Sequence, residues 1–139
     1  MLTQTAEYAL RAVLTIAADP EGQPVGAARL ADTLGIPQNY LSKTLHLLAR
    51  AGVLESTRGK LGGFRLARPA QRIALVDVVG VFDDVTGRRA CLMGRPTCSD
   101  HNACAAHARW KGVSEQVAEF FRDTSVADLI ADRGKGGRG

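Results

Sequence analysis

The sequence predicts a mainly α-helical fold with a small β-hairpin: a winged helix-turn-helix followed by a long C-terminal helix, a candidate for dimerisation. Three observations lead there. Apolar residues recur at helical spacing in segments parted by turn residues. Two of these segments meet at a tight turn on Gly35. Directly after them come a short apolar run, a Gly-rich basic turn and a returning run, which read as a hairpin.

Taken in order, residues 5–18 read as a helix, with Ala9, Val13, Ile16 and Ala17 on one face. Asp19-Pro20-Glu21-Gly22 is a turn. Residues 26–34 form a short second helix with Leu30 and Leu34 inward, and Gly35 suits a left-handed cap after it. Pro37 opens a third helix, because the first turn needs no donor from it. This helix runs to about Ala51, with Leu41, Leu45 and Leu48 as its apolar stripe.

Residues 53–57 form a strand, Arg58-Gly59-Lys60-Leu61-Gly62-Gly63 a basic turn, and Phe64-Arg65-Leu66 the returning strand. Pro69 closes this unit. Residues 74–83 carry the valines of a strand, but also a helical face of Leu75, Val78 and Phe82; helix is the expectation. Residues 85–103 read as a loop. A long helix is expected from about Ala105 to Arg122. Its Trp110, Val113, Val117 and Phe120 recur at heptad-like spacing, which suits either a partner helix or an internal core. Thr124 or Ser125 caps a last short helix through Asp132. The expected organisation is a DNA-binding region at 1–72, a connecting helix, cysteine loop and pairing helix at 73–132, and a disordered Gly-rich tail at 133–139.

Charge bears on the partner. The 139 residues carry 18 Lys/Arg against 14 Asp/Glu, a net +4. Residues 1–72 hold nine basic and five acidic residues, and the remainder nine of each, so the whole excess lies in the first half. Six bases and the lone acid Glu55 fall between Arg50 and Arg72. An acidic partner such as nucleic acid follows from that asymmetry. No apolar run approaches the roughly 20 residues that span a bilayer. The start, Met1-Leu2-Thr3-Gln4, does not resemble a secretion signal, so a cytoplasmic protein with no membrane partner is expected.

The third helix carries Asn39, Ser42, Lys43, His46 and Arg50 opposite its leucines. Asn can bond adenine through two contacts, Lys can reach guanine or phosphate, and Ser can bond base edges or backbone. Asn39, Ser42 and Lys43, nearest the helix start, are assigned to bases of a double-stranded operator, and His46 and Arg50 to phosphate or solvent. At the hairpin tip, Arg58 and Lys60 can enter a minor groove, where negative potential is focused. Arg65, Arg68 and Arg72 are expected to serve phosphates.

The three cysteines and a histidine give C-x6-C-x5-C-x2-H: Cys91, Cys98, Cys104 and His107. Thiolates select zinc, copper(I) or iron–sulfur clusters. These gaps are wider than the knuckles of structural zinc sites and can wrap something larger than one ion. The surrounding Gly, Arg, Pro, Ser, Asp and Asn do not make a core segment.

At this point the chain resembles the winged-helix regulators typified by the iron–sulfur cluster regulator IscR and the nitric-oxide-responsive repressor NsrR. The matching residues are Leu2-Thr3 with Tyr8-Ala9, Leu34-Gly35-Ile36 with Tyr40-Leu41, Val53 through Arg58-Gly59, Gly62-Gly63, the cysteine loop and His107-Ala108-Arg109-Trp110. The resemblance covers about residues 1–132. It implies a homodimer built on the long helix and an iron–sulfur cluster on the three cysteines. His107 matches one subgroup's fourth ligand, and Glu7 falls where the other carries an acidic ligand, so both stay open. The resemblance favours a 2Fe–2S cluster and also admits 4Fe–4S. The first Cys gap is six residues where both comparison proteins have five. The expected function is a repressor gated by a cluster that senses iron, redox state or nitric oxide. A thiol–disulfide or zinc switch is the nearest alternative, and a small iron–sulfur electron carrier the alternative of another class. Ser42 and His46 share a helix face, but no nucleophile–base arrangement is present, and no enzyme is expected.

Overall fold

The computed structural model describes residues 2–19, 21–60, 62–85 and 107–136. Among them lie α1 (Gln4–Ala17), α2 (Ala27–Leu34), α3 (Gln38–Arg50), β1 (Leu54–Thr57), β2 (Gly63–Leu66), α4 (Leu75–Val79), α5 (His107–Asp123) and α6 (Val126–Gly136).

α1 starts where Thr3 caps it, its Oγ1 accepting from the Ala6 amide at 3.2 Å. Its inner face is small: Ala6, Ala9, Ala12, Val13 and Ile16 are buried. Small side chains let α3 approach closely, and Leu41, Leu45 and Leu48 of α3 are fully buried beneath it. Each such leucine contributes about 1.5–3 kcal/mol relative to exposure. Gly35 ends α2 at φ 68°, in the left-handed region where a side chain is disfavoured. The chain then turns directly into α3, with Pro37 just before its first residue.

β1 and β2 pair antiparallel, Leu54 opposite Leu66 and Thr57 opposite Gly63. A third short segment joins them. Val25 and Phe64 exchange backbone hydrogen bonds of 2.9 and 2.8 Å. Gly63 makes this approach possible. It sits at φ 151°, and a Cβ there would lie 2.5 Å from the Val25 carbonyl carbon.

Past the hairpin the structure departs from the sequence reading in three places. A single 3-10 turn, Ala70–Arg72, precedes α4. α4 is a helix, as expected, but spans only five residues, ending at Gly80, whose amide donates to the Val76 carbonyl. α6 continues to Gly136, past the expected end at Asp132.

One hydrophobic core runs from Ala6 to Val126. Its far end is tied by a small bridge between Ala74 and Ser125. There the Leu75 amide donates to the Thr124 carbonyl at 2.9 Å and the Val126 amide to the Ile73 carbonyl at 2.8 Å. α4 and α6 both pack on α1, so the C-terminal elements share the core of the helix-turn-helix.

The expected heptad seam of α5 divides between two faces. Phe121 (5% exposed) and Ala118 (7%) enter the core, and Val117 packs against it. Val113 (48%) and Phe120 (50%) stay outward. The helix carries apolar residues on two adjacent faces, and the four-residue pattern merged them. Among the described residues no helix is long and apolar enough to cross a membrane.

Candidate nucleic-acid interface

The site begins with the burial of α3. Because Leu41, Leu45 and Leu48 face inward, the helical period turns Asn39, Ser42, Lys43, His46 and Arg50 outward together. They line one open groove of about 620 Å³, joined by Leu47. Asn39, Lys43, His46 and Arg50 are exposed, and Ser42 is half-buried. No ion pair is formed by Lys43 or Arg50 among the described residues, so both cations face solvent. Base-capable amide and hydroxyl groups at the start of the helix, with cations along its length, form a surface suited to a polyanion with readable edges.

The hairpin lies beside this face. The His46 ring meets the Phe64 ring of β2 edge-on, with centroids 5.2 Å apart, so α3 and the hairpin are in contact. Arg58 and Lys60 are exposed at the tip, where Gly59 takes φ 106° and its carbonyl accepts from the Gly62 amide at 3.0 Å. Leu61 lies outside the described residues.

Arg65 and Arg68 are partnered within the chain. Glu55 stands opposite Arg65 across the hairpin, and they pair at 2.9 Å. Arg68 lies 3.6 Å from the Asp77 carboxylate and donates to the Arg72 carbonyl at 3.2 Å. The sequence showed these arginines as basic residues but could not show which acids the fold brings to them. Such exposed pairs are weak and can exchange for phosphate.

Of the candidate ligands, Cys91, Cys98 and Cys104 lie outside the described residues. His107 is the first residue of α5. Glu7 is exposed in the first turn of α1. Near it, the Thr3 amide donates to Asp83 Oδ2 at 2.8 Å, joining the start of α1 to the stretch that leads into residues 86–106. Three residues after His107, the Trp110 indole nitrogen is buried with no hydrogen-bond partner among the described residues. No group of three His, Cys, Asp or Glu side chains suited to a metal occurs among the described residues.

Two features were not anticipated. Leu47 stands 44% exposed within the polar stripe, an i+4 neighbour of Lys43 that the sequence could have flagged. Thr5, Tyr8 and Tyr40 gather where α1 meets α3. Their separation by up to 35 residues hid the grouping.

Comparison with known proteins places this geometry. Residues 2–132 match the family described as Rrf2, iron-dependent transcriptional regulator. The HTH-type transcriptional regulator IscR of Vibrio atlanticus is 31% identical over 131 residues, covering 94% of this chain and 75% of that protein. Among solved structures, CymR, the global cysteine regulator of B. subtilis, superposes with a TM-score of 0.78 at 21% identity, over 95% of this chain and 97% of that one. T. potens IscR superposes at 0.76 and 21% identity, over 100% and 92%. The winged-helix architecture is thus that of DNA-binding regulators rather than enzymes, and the chain belongs to the Rrf2 family of transcriptional regulators.

Proposed function

We propose that this regulator is a cytoplasmic homodimeric repressor whose hold on its operator is set by an iron–sulfur cluster. The observation that carries the DNA side is the outward stripe from Asn39 to Arg50 beside a wing tipped by Arg58 and Lys60. Asn39, Ser42 and Lys43 read bases, while His46, Arg50, Arg58 and Lys60 act on phosphates and the minor groove. The exposed Val113 and Phe120 of α5 supply the face that pairs two copies. Pairing sets two reading helices about one turn of duplex, roughly 34 Å, apart.

The residues present fit a cluster by their chemistry. Three thiols with an imidazole or carboxylate in reserve form a soft donor set. The Trp110 N–H, one turn after His107 and without a partner among the described residues, is a donor that a group such as a sulfide would satisfy. Cys91, Cys98 and Cys104 would hold the cluster, with His107 or Glu7 as fourth ligand; the 2Fe–2S type is favoured and 4Fe–4S also fits. When bound, the cluster supplies a labile centre responsive to iron supply, oxidants or nitric oxide. The protein's part is mechanical. Asp83, at the entry to residues 86–106, holds the start of α1, and α1 packs on α3. α5, at the exit, packs on α4, which also touches α1. A rearrangement between these ends acts on the reading helix through α1.

A second reading replaces the cluster with a thiol–disulfide or zinc switch. It draws on the shared fold with a regulator named for cysteine. An electron carrier would leave the α3 stripe and the wing without a role. Anaerobic reconstitution, visible absorption and iron and sulfide analysis separate these readings. The cluster reading expects a brown protein whose holo and apo forms bind one operator at least tenfold apart at fixed salt. Equal affinity of the two forms rules out gating, and a colourless protein with one zinc selects the alternative.

A further inference from the structure

The outer face of α3 has two flanks. Ser42 and His46 lie on the wing side, where His46 meets Phe64. Tyr40 and, two turns on, Leu47 mark the other side. There Tyr40 stands 38% exposed beside Asn39, its ring edge-on to that of Tyr8 on α1, with centroids 5.7 Å apart. The Tyr40 hydroxyl is hydrogen-bonded to Thr5 Oγ1. Gln4 Nε2 donates to the Tyr8 hydroxyl at 2.9 Å.

Proton counting shows what this group can offer. Thr5 and Tyr40 carry one O–H proton each, and the bond between them uses one. The Tyr8 oxygen accepts from Gln4 and keeps its own proton. Two donors therefore remain without a partner among the described residues, at the solvent edge of the reading helix. Packing alone does not account for them. Two phenylalanines would hold α1 to α3 equally well by ring contact, and these hydroxyls are not buried groups needing satisfaction.

We propose that Thr5, Tyr8 and Tyr40 form an uncharged phosphate clamp that grips the DNA strand on the side of α3 away from the wing. This rests on the assignment of α3 to the major groove. A helix in a groove about 12 Å wide has a sugar–phosphate strand along each flank. The wing flank has Arg58 and Lys60. On the other flank, Arg11 is turned to the Tyr8 ring (6.0 Å to its centre) and to the Leu34 carbonyl (3.3 Å), so hydroxyls are the donors presented. Neutral donors set register and orientation without adding to the counterion-release part of affinity.

The test uses the full-length protein and a duplex it selects from a random pool. Each phosphate of one half-site is replaced in turn by an uncharged methylphosphonate. Tyr40→Phe keeps the ring contact and removes the hydroxyl; Tyr8→Phe is the second variant, and melting temperatures confirm that both are folded. Tyr40→Phe is expected to weaken binding about 3- to 10-fold per half-site, as for the loss of one hydrogen bond. The loss should be equal for all sequences, with the slope of log K against log salt unchanged. At one phosphate, on the strand away from the wing, the methylphosphonate should cost the wild type a similar factor and cost Tyr40→Phe nothing more. Wild-type affinity in both variants, or losses that multiply at every phosphate, would overturn the clamp while leaving the α3 assignment intact. If no duplex is selected, the α3 assignment falls and the clamp falls with it.

Discussion

Gly63 shows how much a single residue can be asked to do. It sits at φ 151°, and an added methyl would lie 2.5–2.8 Å from the backbone of Val25 and Gly26. Gly63→Ala is therefore expected to part β2 from Val25 and to destabilise the protein by about 1–3 kcal/mol, read as a lower melting temperature. The sequence marked Gly62-Gly63 as turn residues; Gly62 lies in the turn, but Gly63 is already the first residue of β2, opposite Thr57. What it could not mark is the reason for a glycine there, since the obstructing backbone lies 38 residues earlier and a two-residue pairing leaves no periodic trace. Tyr40 and Arg65 follow the same rule. Their chemistry was legible, but the Thr5 and Glu55 groups that bond them were supplied by the fold.

Among the elements, α3 was legible nearly in full, because one buried leucine stripe fixes which way every other side chain points. Lys43→Ala is expected to lower operator affinity and to reduce the steepness of its salt dependence by about one unit per subunit, as for the loss of one phosphate or base-edge cation. A titration over several salt concentrations reads this. α6 is a different case. Its start carries a reciprocal cap, with the Ser125 amide donating to Asp128 Oδ2 at 2.9 Å and the Asp128 amide to Ser125 Oγ at 3.0 Å. Ser125→Ala should cost about 1 kcal/mol in urea denaturation, with little effect on DNA affinity. The sequence offered Thr124 or Ser125 as this cap, and the fold selects Ser125. α5 was legible as a helix but not in its facing. With apolar residues on two adjacent faces, spacing alone cannot say which pair meets its own core and which meets a partner.

For the whole molecule, the order of elements was readable because the glycine turns punctuate it, and the position of the cysteines between two packed helices was readable too. On the proposed pairing through α5, Phe120→Glu is expected to give a monomer where the wild type sediments as a dimer, and to weaken operator binding more than tenfold. Phe120 is half-exposed in the protomer, so the stability of the monomer should change by less than about 1 kcal/mol. The pairing of Ala74 with Ser125 was not legible, since two lone residues 51 positions apart have no pattern. That small bridge bears on how the protein can be dissected. Beside it, α6 packs against α1. A fragment cut after Arg72 would strip α4 and α6 from α1 and forfeit the part of the core that Val78, Val79, Phe121 and Val126 provide. Truncation would then report collapse rather than autonomy. Point changes on the surface, rather than truncation after Arg72, are therefore the expected way to silence the proposed DNA-binding region.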